Sequence, residues 1–283
     1  MRIIALNMLY VKLDDGKEIA NVDITDGLTF LGLTESPSIA NNYADTTMMD
    51  GELFNYARYA STTVKVKFLL KFNSRADFKL AKHDIYRTFA QKSIYRLRTA
   101  VEPELVRFCR VGAFEIESEP TDPNWVEIEI PFENPRGTLY SRLNSDEMSN
   151  KQFGMNLPIK DYSYHFSGQS DFVIYNAGDI AVDPYNQSHY LKITMHHNGG
   201  SFTLTNKTNN TVFKYNGNLS GSDTLILNGV HVYKNGNLDS ANSSLADSGN
   251  TKPLVLATGE NQFHVDGSGD LDVTFSFPFI YLA

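Results

Sequence analysis

Few residues in this chain have the types and spacing that chemistry needs. Glu115-Ile116-Glu117 and Glu127-Ile128-Glu129 offer paired carboxylates of the sort used in glycoside hydrolysis. Each pair also alternates with an apolar residue, which is how a strand with one face in water reads. His196-His197 is the one histidine doublet. Adjacent side chains on a strand point to opposite faces, so these imidazoles diverge and are read as structural or solvated rather than as metal ligands. Cys109, the one cysteine, sits among Phe108, Val111 and Phe114. On a strand Arg107 shares its face and Arg110 does not. A catalytic thiol needs a base and an electropositive pocket, and an apolar setting suits a buried structural thiol instead. The sequence contains no nucleophile elbow, phosphate-cradling glycine loop or His-Glu-x-x-His. The expectation is no enzyme, no cofactor and no metal.

The elements that would position any site are mostly strands. Residues 3–11, 19–24 and 28–33 read as strands, with Asp14-Asp15-Gly16 as a turn between the first two. Residues 62–72 alternate Val64, Val66 and Phe68 against Lys65 and Lys67. Ser74 and Asp77 then offer an N-cap and a first-turn carboxylate, and Phe78, Ala81, Ile85 and Phe89 follow at helical spacing. Residues 94–101, 105–117 and 125–132 return to strand pattern. Residues 34–61 have little period and read as a long loop, which in a compact domain is functional or partner-bound. Residues 140–161 are rich in Ser, Asn, Asp and Gly and read as a linker with one helical turn over 146–152. Beyond them come nine short strands, from 163–166 to 271–277, separated by turns such as Asn198-Gly199-Gly200 and Asn235-Gly236-Asn237. That spacing indicates a β-sandwich or jelly roll.

Composition divides the 283 residues in two. All ten arginines precede residue 143, and fourteen asparagines follow residue 170. Such a shift marks a domain boundary, placed here as 1–150 and 151–283. The net charge of -8 argues against a nucleic-acid-coating surface. No apolar run approaches the ~20 residues of a membrane span, so no membrane insertion is expected. The start, Met1-Arg2-Ile3-Ile4, lacks a signal-peptide h-region, and one cysteine excludes an internal disulfide framework. A protein made in a reducing cytoplasm is expected. The five Asn-x-Ser/Thr sequons, beginning at Asn186, Asn206, Asn209, Asn218 and Asn242, follow from composition and carry no weight.

The order of these elements resembles the siphovirus tail component family, the distal tail proteins of long non-contractile phage tails. The first half offers an N-terminal strand pair, a long segment with Asp50-Gly51, the strand over 64–72, a capped helix with Asp84-Ile85 and the strand over 94–101. In the second half, Phe172-Val173-Ile174-Tyr175-Asn176-Ala177-Gly178-Asp179 followed by Pro184 resembles the start of that family's galectin-like sandwich. Gly259-Glu260-Asn261 resembles its turn before the last strands.

The resemblance implies a mainly β chain: an N-terminal ring-forming, barrel- or sandwich-like domain with one α-helix, then a C-terminal galectin-like β-sandwich. It implies a structural virion protein at the tail tip, assembled in the host cytoplasm as a homo-hexameric ring. The implied partners are the tail tube protein, a tail-associated hub protein and receptor-binding or other baseplate proteins, with DNA only passing through the channel. The long segment supplies the subunit-contact candidates Asn41, Asn42, Tyr43, Met48, Met49, Asp50, Phe54, Tyr56 and Arg58. An alternative is a glycan-binding module for cell-wall polysaccharide, with Tyr185, Asn186, Tyr190 and Tyr233 as contacts. Galectins carry a His/Arg/Trp sugar constellation, and this second half has neither Arg nor Trp.

Overall fold

A computed structural model describes residues 8–13, 16–45, 50–119, 123–148, 162–246, 253–267 and 270–283. The chain divides into two compact units, Met1–Leu139 with Leu282–Ala283, and Tyr140–Tyr281. Among the described residues no helix is long and apolar enough to cross a membrane.

The first unit contains β1 (Leu9–Leu13), β2 (Ile19–Ala20), β3 (Leu28–Thr34), β4 (Ile39–Asp45), β5 (Glu52–Tyr59), β6 (Thr62–Lys71), α1 (Arg75–Phe89), β7 (Tyr95–Thr99), β8 (Leu105–Val111) and β9 (Trp125–Asn134). Seven of the strands run β2-β1-β7-β8-β9-β6-β3 in one antiparallel sheet. Alternation sets its buried face: Val64, Val66, Phe68 and Leu70 on β6 lie against Ile128, Ile130 and Phe132 on β9. Ser74 caps α1 by accepting the Asp77 N–H at 3.2 Å, and Phe78, Ala81, Ile85 and Phe89 bury one stripe of the helix. Phe89 packs at 5.9 Å from Phe68 and 5.7 Å from Phe132, ring to ring. The Tyr95 hydroxyl donates to the Phe89 carbonyl at 2.6 Å, satisfying an acceptor of the helix's last turn.

Residues 19–24, read as one strand, form only the short β2. The chain then tightens into a 3-10 turn over Asn21–Asp23. The reason is the Asn21 side chain, which is 1% exposed and reaches both margins of the sheet. It accepts the Leu9 N–H of β1 at 3.1 Å and donates to the Leu28 carbonyl of β3 at 3.1 Å. The β8 strand also ends sooner than its sequence pattern, at Val111, where Gly112 N–H turns to the Pro131 carbonyl at 2.7 Å. Residues 34–61 are no loop. Among the described residues of this stretch, β4 and β5 pair as an antiparallel arm, with a bulge between Asn42 and Tyr43. Neither of its faces is buried, so the pattern by which strands are recognised is missing.

β10 (Thr138–Ser141) runs across the division between the units. The second unit continues with β11 (His165–Ser167), β12 (Asp171–Asn176), β13 (Lys192–His197), β14 (Phe202–Asn206), β15 (Thr211–Tyr215), β16 (Leu225–Asn228), β17 (His231–Lys234), β18 (Asn237–Leu238), β19 (Gly259–Gly267), β20 (Leu271–Ser276) and β21 (Ile280–Leu282). Two antiparallel sheets, β11-β20-β13-β16-β17-β18 and β12-β19-β14-β15, form a sandwich. Ile193, Met195, Leu225, Val273 and Phe275 of the first sheet and Phe172, Leu204, Phe213 and Phe263 of the second are buried between them. Residues 140–145 are not a linker. Ser141 accepts the Phe279 N–H at 2.9 Å, and Ser145 donates to the Phe275 carbonyl at 2.9 Å, so buried serines bind this segment to the sandwich. Residues 149–161, with most of the expected helical turn, lie outside the described residues.

The two motifs of the second unit have a structural function. Asn176 accepts the Gly178 N–H at 3.0 Å, and a Cβ on Gly178 would stand 2.5 Å from the Ile280 carbonyl. Asn261, fully buried, accepts the Ala257 N–H and donates to the Ala257 carbonyl, both at 2.8 Å, and also accepts from buried Asn206 at 2.9 Å. These asparagines satisfy turn backbone that water cannot reach.

Asn21→Ala should expose the role of the sheet's side-chain bridge. It leaves Leu9 N–H and the Leu28 carbonyl without their partner, for a loss of about 1–3 kcal/mol. Trp125, the sole tryptophan, lies in the first unit. Its fluorescence in urea should show an earlier midpoint for the variant, and an unchanged midpoint would deny Asn21 this function.

Candidate functional site

The chemistry suggested by the sequence resolves into structure. Cys109 is fully buried, and burial first, then the Glu35 charge, pushes its thiol up to about 12, so it is no nucleophile at neutral pH. Arg107 shares its buried face, and Arg110 points outward and donates to the Lys92 carbonyl at 3.0 Å. His196 and His197 diverge, with their Nδ1 atoms 3.1 Å from the Asp223 carbonyl and 3.2 Å from the Asp270 carbonyl respectively. Glu127 and Glu129 lie on the solvent side of β9. Glu129 is held low chiefly by its bond to Lys65 at 3.1 Å. Glu115 and Glu117 are exposed on either side of buried Ile116, outside any strand.

The feature that stands out is the β4–β5 arm. Ile39, Tyr43, Leu53, Phe54, Tyr56 and Tyr59 all lie on it, each between 45% and 60% exposed. Register places Ile39 opposite Tyr59 and Tyr43 opposite Phe54, so one face carries four of these six side chains. The Tyr43 and Phe54 rings meet edge to face at 5.8 Å, and Asn55 donates to Asn42 at 2.9 Å. An isolated two-stranded ribbon is marginal in water, and clustered exposed apolar side chains are the kind of surface through which proteins contact other molecules. Of the candidates from the sequence, Asn41, Asn42, Tyr43, Phe54, Tyr56 and Arg58 all stand on the arm, and Asp50 is exposed just before β5. Met48 and Met49 lie outside the described residues. Ile39 and Tyr59 share the face of Tyr43 and Phe54, Leu53 lies on the other face with Tyr56, and none of the three was among the candidates, because without strand register nothing aligned them.

The root of the arm is built more firmly than its blade. Ala60 N–H donates to the Ser38 carbonyl at 2.8 Å and closes the ladder. Beneath it Gly137, at φ +62°, passes so near that a Cβ would stand 2.0 Å from the Ala60 carbonyl. Glu35, in the connection from β3 to the arm, pairs with Arg107 of β8. Arg107 Nε donates to Glu35 Oε1 at 2.6 Å and Nη2 donates to Glu102 at 3.1 Å. The Arg107 and Glu35 side chains are 2% and 8% exposed. Burial opposes the Arg107 charge, yet Glu35 and Glu102 together hold its pKa above the ordinary value. A signal for this pair was in the sequence, since an arginine on the Cys109 face needs an acid brought to it.

The four candidates of the second unit are dispersed. Tyr185 and Asn186 top a turn whose N–H groups donate to Asp183 Oδ1 at 3.0 and 2.9 Å. Tyr190 precedes β13 and is 44% exposed, and Tyr233 stands on β17 beside His231.

Glu35→Ala should leave the buried guanidinium with Glu102 alone, at a cost of about 3 kcal/mol or more. Replacing both partners, as Glu35→Leu with Arg107→Met, should recover most of that loss. Thermal melts followed by Trp125 fluorescence test this, and a Glu35→Ala midpoint equal to wild type would contradict it.

Residues 18–134 match the family described as the phage tail protein RIFT-related domain. No curated protein sequence matches the chain. Among solved structures it is similar to the Dit protein of phage SPP1, described as a paradigm of the hub adsorption apparatus in phages infecting Gram-positive bacteria. The TM-score is 0.68 at 9% identity, over 96% of this chain and 99% of that one. Two structures of the phage P2 baseplate in its activated conformation also align. The one with calcium has a TM-score of 0.43 at 11% identity, over 94% and 97% of the two chains. The one with strontium has a TM-score of 0.42 at 10% identity, over 96% and 97%. Residues 18–134, within the first unit, are thus similar to the phage tail protein RIFT-related domain, and the chain as a whole shares the fold of a siphophage distal tail protein.

Proposed function

We propose that this chain is a structural protein of a siphophage tail tip, a homo-hexameric ring that joins the tail tube to a tail-associated hub protein. In this reading the ring domain, expected over 1–150, ends with the first unit at Leu139, and the sandwich that begins at Tyr140 is presented outward, where receptor-binding or other baseplate proteins dock. The ring is assembled in the host cytoplasm and becomes part of the virion, and DNA only passes through its channel. The chain catalyses no reaction and enters no membrane.

The observation that carries this reading is the arm. Six large apolar side chains stand half in water on a hairpin that buries neither face. Covering them would remove apolar surface from water at about 25 cal/mol per Å², and a second copy of the chain, with an arm of its own, is the partner a ring supplies. The fold match over nearly the whole chain supports the same class of protein. The absence of a nucleophile or metal motif from the sequence is consistent with scaffold work.

Native mass spectrometry of the full chain should give a mass six times that of the 31.8 kDa protomer. Tyr43→Ser with Phe54→Ser and Tyr56→Ser should weaken association by about a hundredfold or more. Circular dichroism should be unchanged, because the arm contributes nothing to either core. A clean monomer at every concentration, alone and with the tail tube protein, would overturn the reading.

A further inference from the structure

We infer that Asn216-Gly217, the turn that leaves β15, is a site of covalent self-modification, at which asparagine converts to aspartate and isoaspartate ahead of every other Asn-Gly pair in the chain. The inference does not rest on ring formation.

The sequence holds four Asn-Gly pairs, beginning at Asn198, Asn216, Asn228 and Asn235. All lie in the second unit, and all four asparagines are exposed, so exposure does not rank them. The reaction needs only water. The glycine N–H gives its proton to solvent base, and the nitrogen attacks the asparagine Cγ. The bond from Cγ to Nδ2 then breaks, Nδ2 leaves as ammonia with a proton taken from water, and a cyclic imide remains. Water adds to one of the imide carbonyls. Opening one C–N bond leaves aspartate, and opening the other leaves isoaspartate, with an extra methylene in the backbone. Glycine suits the attack because no Cβ shields its nitrogen. The geometry must supply a glycine N–H free to ionise and a carboxamide free to swing onto it.

Three of the pairs fail one of these demands. Gly199 N–H donates to the Leu219 carbonyl at 3.2 Å, and Leu219 N–H returns the bond at 3.1 Å. Gly229 N–H donates to the Leu191 carbonyl at 2.8 Å. Ionising either nitrogen first requires a backbone hydrogen bond to break. The Asn235 carboxamide is held at both ends, accepting the Thr224 N–H at 2.9 Å and donating to Asp223 at 2.7 Å.

Asn216-Gly217 meets both demands. Among the described residues neither the Asn216 carboxamide nor the Gly217 N–H has a hydrogen-bond partner. The Asn216 N–H donates to the Asn242 carbonyl at 2.8 Å, so the backbone is held while the side chain is not. Packing also dictates the glycine. A Cβ at position 217 would stand 2.5 Å from the Tyr215 hydroxyl oxygen. Tyr215 cannot yield, since it is 1% exposed and donates that hydroxyl to Asp239 at 2.6 Å. The fold thus demands the small residue that leaves Asn216 open to attack.

Incubating the full chain in mildly alkaline buffer and following it by digestion and fragment mass spectrometry tests the site, because fragmentation locates each change to its residue. Asn216 should gain the mass difference between amide and acid about fivefold faster or more than Asn198, Asn228 or Asn235, the ratio set by one hydrogen bond that must first break. Isoaspartate should form there alongside aspartate. In urea, where the fold no longer ranks the pairs, all four should react at similar rates. Asn216→Ser should remove the early gain and leave the other three sites unchanged. A gain that comes first or equally fast at another pair in the folded chain would overturn the inference. So would an Asn216 that reacts in urea but not in native buffer, or aspartate formed there without isoaspartate, which denotes direct hydrolysis of the carboxamide.

Discussion

A guanidinium with 2% of its side chain exposed must be matched by acid, and in this protein the acids come to Arg107 from two connections. Glu35 arrives from the segment that leaves β3 for the arm, and Glu102 from the one that leads into β8. Removing two such charges from water costs several kcal/mol per ion, and their attraction repays that only when the geometry is good. The pair is thus a poor source of net stability but a demanding specifier of position. If Glu35 shifts, a buried charge is left uncompensated. The start of the arm is consequently fixed to the sheet at a point where the arm's own ladder, exposed on both faces, could not fix it. The near contact of Gly137 with the Ala60 carbonyl does the same for the returning strand.

This explains a division within the first unit. Its sheet and helix follow the ordinary logic of burial: β6, β9 and α1 each have one apolar face, and those faces meet around Phe68, Phe89 and Phe132. The arm follows a different logic, in which backbone pairing holds the strands and the side chains stand in water on both faces. A rigid root with an apolar blade suits a surface that must be presented at a set angle before its partner arrives, because preorganisation lowers the entropy lost on association.

Periodicity made most of this fold legible, and it failed where burial was absent. The β6 strand and the strands of the sandwich were readable because each hides alternate residues. Residues 34–61 carried strand-forming aromatics but no alternation between core and water, so they looked like loop. Asn21 was misread for another reason. One side chain there substitutes for ladder bonds between β1 and β3, a long-range use that no local pattern announces. Serine is common in linkers, so residue type points Ser141 and Ser145 to one, and only the fold places their hydroxyls against the backbone at Phe275 to Phe279. Residue type alone picked out Tyr43, Phe54 and Tyr56 as contact candidates, and all three stand exposed on the arm whose strands the pattern hid.

The second unit puts one residue type to two uses. Asn176, Asn206 and Asn261 are buried to 1% exposure or less, and their amides close turns that water does not reach. Asn218 and Asn237 are the same residue in turns of similar sequence, but their amides face outward with nothing described to bond. Composition cannot separate these uses, because an Asn-Gly turn needs asparagine for its backbone whether or not the side chain is occupied. The separation comes from counting partners. A buried amide without a partner would be a defect, whereas an exposed one is satisfied by water, and the Lys234 bond to the Asn218 carbonyl constrains that residue's backbone and not its side chain.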